Sequence, residues 1–247
     1  LNNFISFCYL KRQFRFSFKN IEIKKYIIPL IVSLLLANIE LLYTQLDKIM
    51  LSPFVNDIAV TEYTIPYTLV GMISTIPLSL LTVAIPRLSG YIGLGDKEAY
   101  LSTFKETVRV YFSILLPMAV GVMVLSKEIM WLYTKDVYTY AYAVLVLAAV
   151  ARIVYGFESV VTNLMMYVWG FEKRLTLYLL YGGIINGISN FLLVFTGKFS
   201  AFSSLFTTMV ACMLVIVLCV RYFERQTQMK TGLFGLNNLK YLFVSLL

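Results

Sequence analysis

Three stretches of this chain, Tyr63 to Pro86, Leu175 to Gly197 and Phe199 to Val220, contain no Asp, Glu, Lys or Arg. Runs that long and that neutral have no place on a water-exposed surface, whereas about 20 predominantly apolar residues, rising 1.5 Å each, cross the hydrocarbon core of a bilayer. Val110 to Ser126 is also uncharged but shorter, and Tyr26 to Leu51 and Val137 to Val168 are long runs with a few charges each. Six spanning helices are therefore expected, in an all-α polytopic transmembrane bundle. Composition agrees, with 60% hydrophobic and 14% charged residues, where a soluble domain is about a quarter charged.

The charges are bunched in the connections, and their sign sets the orientation, because cytoplasmic loops retain Lys and Arg. Lys11, Arg12, Arg15, Lys19, Lys24 and Lys25 precede the first span. Alternate connections then hold Arg87, Lys97, Lys105 and Arg109, next Lys173 and Arg174, and finally Arg221, Arg225, Lys230 and Lys240. The intervening connections hold Lys127, Lys135 and Lys198. Sixteen against three places the start of the first span in the cytoplasm, and six spans later the chain is inside again. The net charge of +8 is a topology signal on this reading, not a nucleic-acid footprint.

Trp131 with Tyr133 falls in an outer connection and Trp169 at an inner helix end, both positions that suit headgroups. The outer segment Lys127 to Val137 reads as a short interfacial helix. The inner segment RLSGYIGLGDKEAY, from Arg87 to Tyr100, reads as a long turn leading into an amphipathic helix start. Its Gly-Leu-Gly lacks the Lys-Ser/Thr of a phosphate loop and follows a helix, so it is no nucleotide site. Pro29, Pro66, Pro77 and Pro117 mark possible breaks inside spans. Gly183 and Gly187 offer a G-x-x-x-G face for close packing. Cys8, Cys212 and Cys219 have no partner spacing for zinc or a disulfide and read as small lipid-facing or packing residues. With no histidine in the chain, the commonest metal ligand is missing, and no cofactor is expected.

Charged residues inside spans are costly, at roughly 2.5–3.5 kcal/mol near the bilayer centre, and normally face the bundle interior or water. Glu40, Asp47 and Lys48 lie in the first span, and Arg152 and Glu158 in the fourth. Glu40, Tyr43, Thr44 and Asp47 share one helical stripe. Asp47 with Lys48 can be read either as an inward-facing pair or as a pair snorkelling to the outer interface. Arg152 shares a stripe with Ser159, bordered by Glu158. It suits an anionic, diphosphate-bearing ligand, or else a structural ion pair with Glu40 or Glu158. Asn186 and Asn190, one turn apart, are placed to bridge helices by hydrogen bonds, with substrate contact as the alternative.

Read in order, Tyr43 with LDKIML (Leu46 to Leu51), IPRLSGYIGLGDKEAY (Ile85 to Tyr100), GIINGISNFLLV (Gly183 to Val194) and SSLFTTMVA resemble the polysaccharide repeat-unit flippases of the multidrug/oligosaccharidyl-lipid/polysaccharide exporter superfamily. The resemblance covers most of Lys24 to Arg221. It implies a MATE-like lobe, the second of two pseudo-symmetric bundles around a cavity that alternates between faces. Residues 1–25 would then be a cut helix end and the basic cytoplasmic linker between lobes, 26–221 the six-helix C-terminal lobe, and 222–247 a cytoplasmic loop and the start of a further helix. The N-terminal lobe of the same protein would be the missing partner.

The implied activity is the flipping of undecaprenyl-diphosphate-linked oligosaccharides across a bacterial cytoplasmic membrane, coupled to H+ or Na+. The partners are a lipid-linked oligosaccharide and membrane lipid, with no nucleic acid. Arg152, Tyr43, Asn186 and Asn190 are the candidate substrate contacts. Glu40, Asp47, Lys48 and Glu158 are the candidates for ion coupling or gating. A multidrug or cation antiporter and a lipid II flippase are the nearest alternatives. An enzyme is not expected, since the four aspartates include no D-x-D and no large outer loop is present to house chemistry.

Overall fold

The computed structural model describes residues 27, 30, 31 and 45–232. The chain divides into two compact units, Leu1–Ala37 and Asn38–Leu247. The described part of the second unit contains no strand. It begins with α1 (45–54) and continues through α2 (Asp57–Gly93), α3 (Lys97–Val124) and a short α4 (Ser126–Thr134). A 3₁₀ turn at Thr139–Ala141 leads into α5 (Tyr142–Val160), which runs on as a π-helix over Val161–Tyr167. Helices α6 (Glu172–Phe195) and α7 (Ala201–Thr227) complete it. Five of these segments are long and apolar enough to span a membrane: α2, α3, Thr139–Tyr167 as one unit, α6 and α7. The sixth expected span, Tyr26 to Leu51, lies largely outside the described residues, α1 containing its end.

Around a largely apolar core, the burial pattern departs from that of a soluble protein: large apolar side chains face outward while some polar ones are sealed inside. Along α6 the buried residues are Leu175, Gly182, Asn186 and Asn190, while Ile184, Ile188, Phe191, Leu192 and Phe195 are exposed. Exposed apolar side chains likewise line α2 (Met72, Ile76, Val83) and α7 (Phe206, Val210, Met213). Asp47 and Thr208 meanwhile have at most 1% exposure. In hydrocarbon, apolar side chains gain nothing by turning inward, so small and polar groups that need partners take the interior. Helix α5 sits centrally, packed on α2, α3 and α7, and α6 packs against α7.

Several local expectations are corrected. Helix α2 does not stop at Pro86 but continues to Gly93, so the long inner turn expected from Arg87 shrinks to Leu94, Gly95 and Asp96. Gly95 takes a positive φ of 74°, and Asp96 caps α3 by accepting from the Ala99 amide at 2.9 Å. Pro66 and Pro77 lie within α2 and Pro117 within α3, and none of them ends its helix. Ser74, with its hydroxyl donating to the Val70 carbonyl at 2.7 Å, illustrates how side chains satisfy backbone in such segments. Pro29 lies outside the described residues. Of the expected glycine pair, a methyl on Gly187 would meet Leu46 of α1 at 3.4 Å, but one on Gly183 would meet nothing within 4 Å among the described residues. Gly182 beside them is buried, and a tighter approach falls at Gly156, where an added carbon would lie 2.5 Å from Leu115 and 3.2 Å from the Tyr111 hydroxyl. Cys212 and Cys219 are fully buried packing residues, not lipid-facing ones, and Cys8 lies outside the described residues.

The π-helix is a feature the sequence reading did not contain. Tyr100 of α3, itself fully buried, donates its hydroxyl to the Leu164 carbonyl within that segment at 2.9 Å. Trp169 follows it, with Tyr100 at 5.5 Å and Phe223 of α7 at 5.6 Å, both edge-on. Aromatic packing of this kind holds the inner end of α5 against its neighbours.

Candidate functional site

The site begins at α1, where Asp47 is fully buried and accepts hydrogen bonds from three other helices. Its Oδ2 accepts from the Tyr63 hydroxyl of α2 at 3.0 Å and from the Thr208 hydroxyl of α7 at 2.6 Å. Its Oδ1 accepts from the side-chain amides of Asn186 at 3.3 Å and Asn190 at 2.7 Å, both on α6. Thr207 donates in turn to Asn190 Oδ1 at 2.6 Å. A carboxylate fully withdrawn from water is tolerable only with its lone pairs occupied, and four donors occupy both oxygens here. The snorkelling alternative for Asp47 is thereby overturned: a side chain reaching for the headgroups would not be sealed beneath Tyr63, Thr208 and two asparagines.

Local sequence explains how these groups converge. Asn186 and Asn190 are one turn apart on the buried stripe of α6, which also carries Gly182, so the stripe presents amides between small residues. Ser200 caps α7 through a capping box with Ser203 at 2.9 and 3.2 Å, which fixes the start of the helix two turns before Thr208. Asn56 caps α2 by accepting from the Ala59 amide at 2.7 Å and places Tyr63 two turns further in.

A cationic and aromatic cluster adjoins the carboxylate. Tyr63 stacks on Tyr67 at 5.7 Å, and Tyr67 meets Tyr155 of α5 edge-on at 6.5 Å. The half-buried Lys48 lies 5.5 Å from the centre of the Tyr67 ring. Arg152, also half-buried, lies 5.8 Å from Tyr67 and 5.6 Å from Tyr155. Its contacts among the described residues are these aromatic faces and α2 at Gly71, where a methyl would meet its terminal nitrogen at 3.5 Å. A guanidinium held against ring faces by cation–π attraction does not spend its N–H donors on them, and those donors suit bidentate binding of an oxyanion. Glu158, two turns along α5, accepts from Cys212 Sγ of α7 at 3.2 Å.

The structure therefore brings Asp47, Lys48, Arg152, Glu158, Asn186 and Asn190 into one region, the amides bonding directly to Asp47. Glu40 and Tyr43 lie outside the described residues. Sequence reasoning missed Tyr63, Tyr67, Tyr155 and Thr208. The signal was present in the tyrosine pair one turn apart on α2 and the adjacent threonines of SSLFTT, but neither type is costly enough in a membrane to stand out alone. No group of three or more His, Cys, Asp or Glu capable of holding a metal occurs among the described residues. Any ion at Asp47 would therefore depend on neutral oxygens from Asn and Thr.

Compared with known proteins, residues 3–137 match the family model described as lipid II flippase MurJ. The match contains Asp47, Lys48, Tyr63 and Tyr67, and the remaining site residues lie beyond it. Neither the curated proteins nor the solved structures yield a match. The resemblance to polysaccharide repeat-unit flippases is thus corrected in its branch. What matches is a flippase family of a lipid-linked substrate, and its branch is the one ranked last among the alternatives on sequence alone. That match extends over more than half of the 247 residues, in an all-helical protein of the cytoplasmic membrane that crosses it many times. The chain belongs to the lipid II flippase MurJ family.

Proposed function

We propose that this chain is the C-terminal lobe of a flippase that carries lipid II, an undecaprenyl-diphosphate-linked saccharide, from the inner to the outer leaflet. The single observation that supports it most is the family match. It joins a chain in which the half-buried Arg152 lies 5.8 and 5.6 Å from the centres of two aromatic rings, those of Tyr67 and Tyr155. In this reading Arg152 receives the diphosphate, with Lys48 on the opposite approach to the Tyr67 ring. Tyr43 and the missing N-terminal lobe would complete the cavity.

Asp47 serves as the coupling-ion group and gate. Its four partners belong to α2, α6 and α7, so a cation that displaces those hydrogens alters the packing of three helices at once. The chemistry fits a monovalent cation, H+ or Na+. Thr208 and Tyr63 can rotate their hydroxyl protons away, and the amides can turn their oxygens inward. Asn186 Oδ1 has no hydrogen-bond partner among the described residues and is one such free acceptor. Glu40 and Glu158 remain candidates for the same coupling function.

The test uses the complete protein in two bacterial hosts, one depleted of its lipid II flippase and one lacking a polysaccharide repeat-unit flippase. Rescue of the first, with Arg152→Ala reducing surface-exposed lipid II at least tenfold at normal expression and Arg152→Lys reducing it less, is the expected result. Rescue of the second host alone would transfer the substrate to the repeat-unit class. Unimpaired Arg152→Ala would remove the arginine from the substrate site.

A further inference from the structure

The core holds a second carboxylate that the Asp47 junction does not explain. Thr208, which serves Asp47, and Cys212, which serves Glu158, are one turn apart on α7. One face of that helix thus addresses both acids, about 6 Å apart along its axis. Tyr155 stands beside them from α5, with 9% of its surface exposed. Its hydroxyl has no hydrogen-bond partner among the described residues, yet it interacts electrostatically with both Asp47 and Glu158. A buried phenol oxygen bonded to neither acid keeps lone pairs that it can offer to a cation lying between them.

We propose that Tyr155 and Glu158 form a second, inward-lying station for the monovalent coupling cation, entered from Asp47 past the Tyr155 hydroxyl. The proposal rests on the reading of Asp47 as an ion group. Direction follows from the topology: α5 enters from the outer side and α7 leaves towards the inner side, so Glu158 and Cys212 lie nearer the cytoplasm than Thr208. The other ionisable groups facing this station among the described residues include Tyr63 and Tyr67 of α2, Tyr111 of α3, Arg152 on α5 itself, and Cys212 and Cys219 of α7. Lys48 approaches from α1 across the Tyr67 ring.

Arg152 is one turn from Tyr155 and repels a cation arriving there. An anionic headgroup held by that arginine cancels the repulsion. Substrate on Arg152 therefore eases the cation's passage between the two acids, and this links the two movements without direct contact.

The decisive variant is Tyr155→Phe, which removes only an oxygen that has no hydrogen-bond partner among the described residues and so leaves the fold intact. The complete protein, reconstituted in proteoliposomes, is assayed for equilibrium binding of radioactive sodium. Flipping of fluorescent lipid II is then driven either by a sodium gradient at fixed pH or by a pH gradient without sodium. Whichever gradient drives the wild type identifies the cation. Tyr155→Phe and Glu158→Gln are expected to keep substrate affinity and cation occupancy at Asp47 while slowing gradient-driven flipping at least tenfold, with Glu158→Asp partly restoring it. Both variants flipping at the wild-type rate, while Asp47→Asn abolishes coupling, would overturn the second station and leave Asp47 standing. Intact coupling in Asp47→Asn, or a wild type that neither gradient drives, would remove both. If Glu158→Gln fails to accumulate, Tyr155→Phe alone decides the outcome.

Discussion

Asp47 accepts from four side chains, and two replacements separate its charge from its shape. Asp47→Ala leaves the Tyr63 hydroxyl and two buried amides without their acceptor in Asp47, while Thr208 can still donate to the Ser204 carbonyl; each such loss costs about 1–3 kcal/mol and they do not sum simply. Asp47→Asn keeps one carbonyl oxygen for the amides, and the two hydroxyls can reverse to accept from its nitrogen. Thermal unfolding in detergent is expected to show Asp47→Ala melting at least about 5 °C lower, at roughly 2–4 °C per kcal/mol for a chain of this size, and Asp47→Asn much less affected. Ion-driven transport is expected to be lost in both. The carboxylate itself was legible in the sequence because a charge in a span is costly, and Asn186 and Asn190 were legible by their spacing. Their mutual bond was not, since Asp47 and Asn190 are 143 positions apart and periodicity within one helix says nothing of what faces it across the bundle. Tyr155 was hidden for a different reason: in a chain with 18 tyrosines its type carries no signal.

At the scale of elements, the π-helix after α5 depends on a donor from another helix. Tyr100→Phe removes the hydrogen bond to the Leu164 carbonyl and little else, a net loss of about 1 kcal/mol. The expected result is a fall of roughly 2–4 °C in melting temperature, with faster amide exchange confined to 161–171. Gly156→Val is more severe, because its branches must displace Leu115 and Tyr111 where α3 and α5 meet most closely. It is expected to lower the yield of folded protein by more than any change at Gly183, where space is open. Uncharged length predicted α2, α3, α6 and α7 well, and Gly95 with Asp96 correctly marked a turn. The end of α2 at Gly93 was not legible, because a helix leaving hydrocarbon for water needs no apolar run and so continues past the signal. The change from α to π at Val161 leaves the apolar content unaltered and has no compositional mark at all.

For the whole molecule, the alternation of basic and neutral connections predicts which side of the membrane each junction faces. Reporter fusions or single-cysteine labelling at Gly95 and Gly170 are expected to report the cytoplasm, and those at Lys135 and Gly197 the outer side. Two successive junctions on one side would refute the assignment by charge. The length of α2 adds a mechanical property. Its 37 residues extend about 55 Å, against about 30 Å of hydrocarbon, so the helix overhangs the bilayer, and the PRLS segment with its tight turn rides on the projecting end. The part beyond the uncharged run, Arg87 to Gly93, is about 10 Å long, and a tilt of about 10° about the membrane surface would sweep its end through about 2 Å. The tip of the α2–α3 hairpin is thus a pointer, converting a small rearrangement around Tyr63 and Tyr67 into a displacement that cytoplasmic machinery can feel.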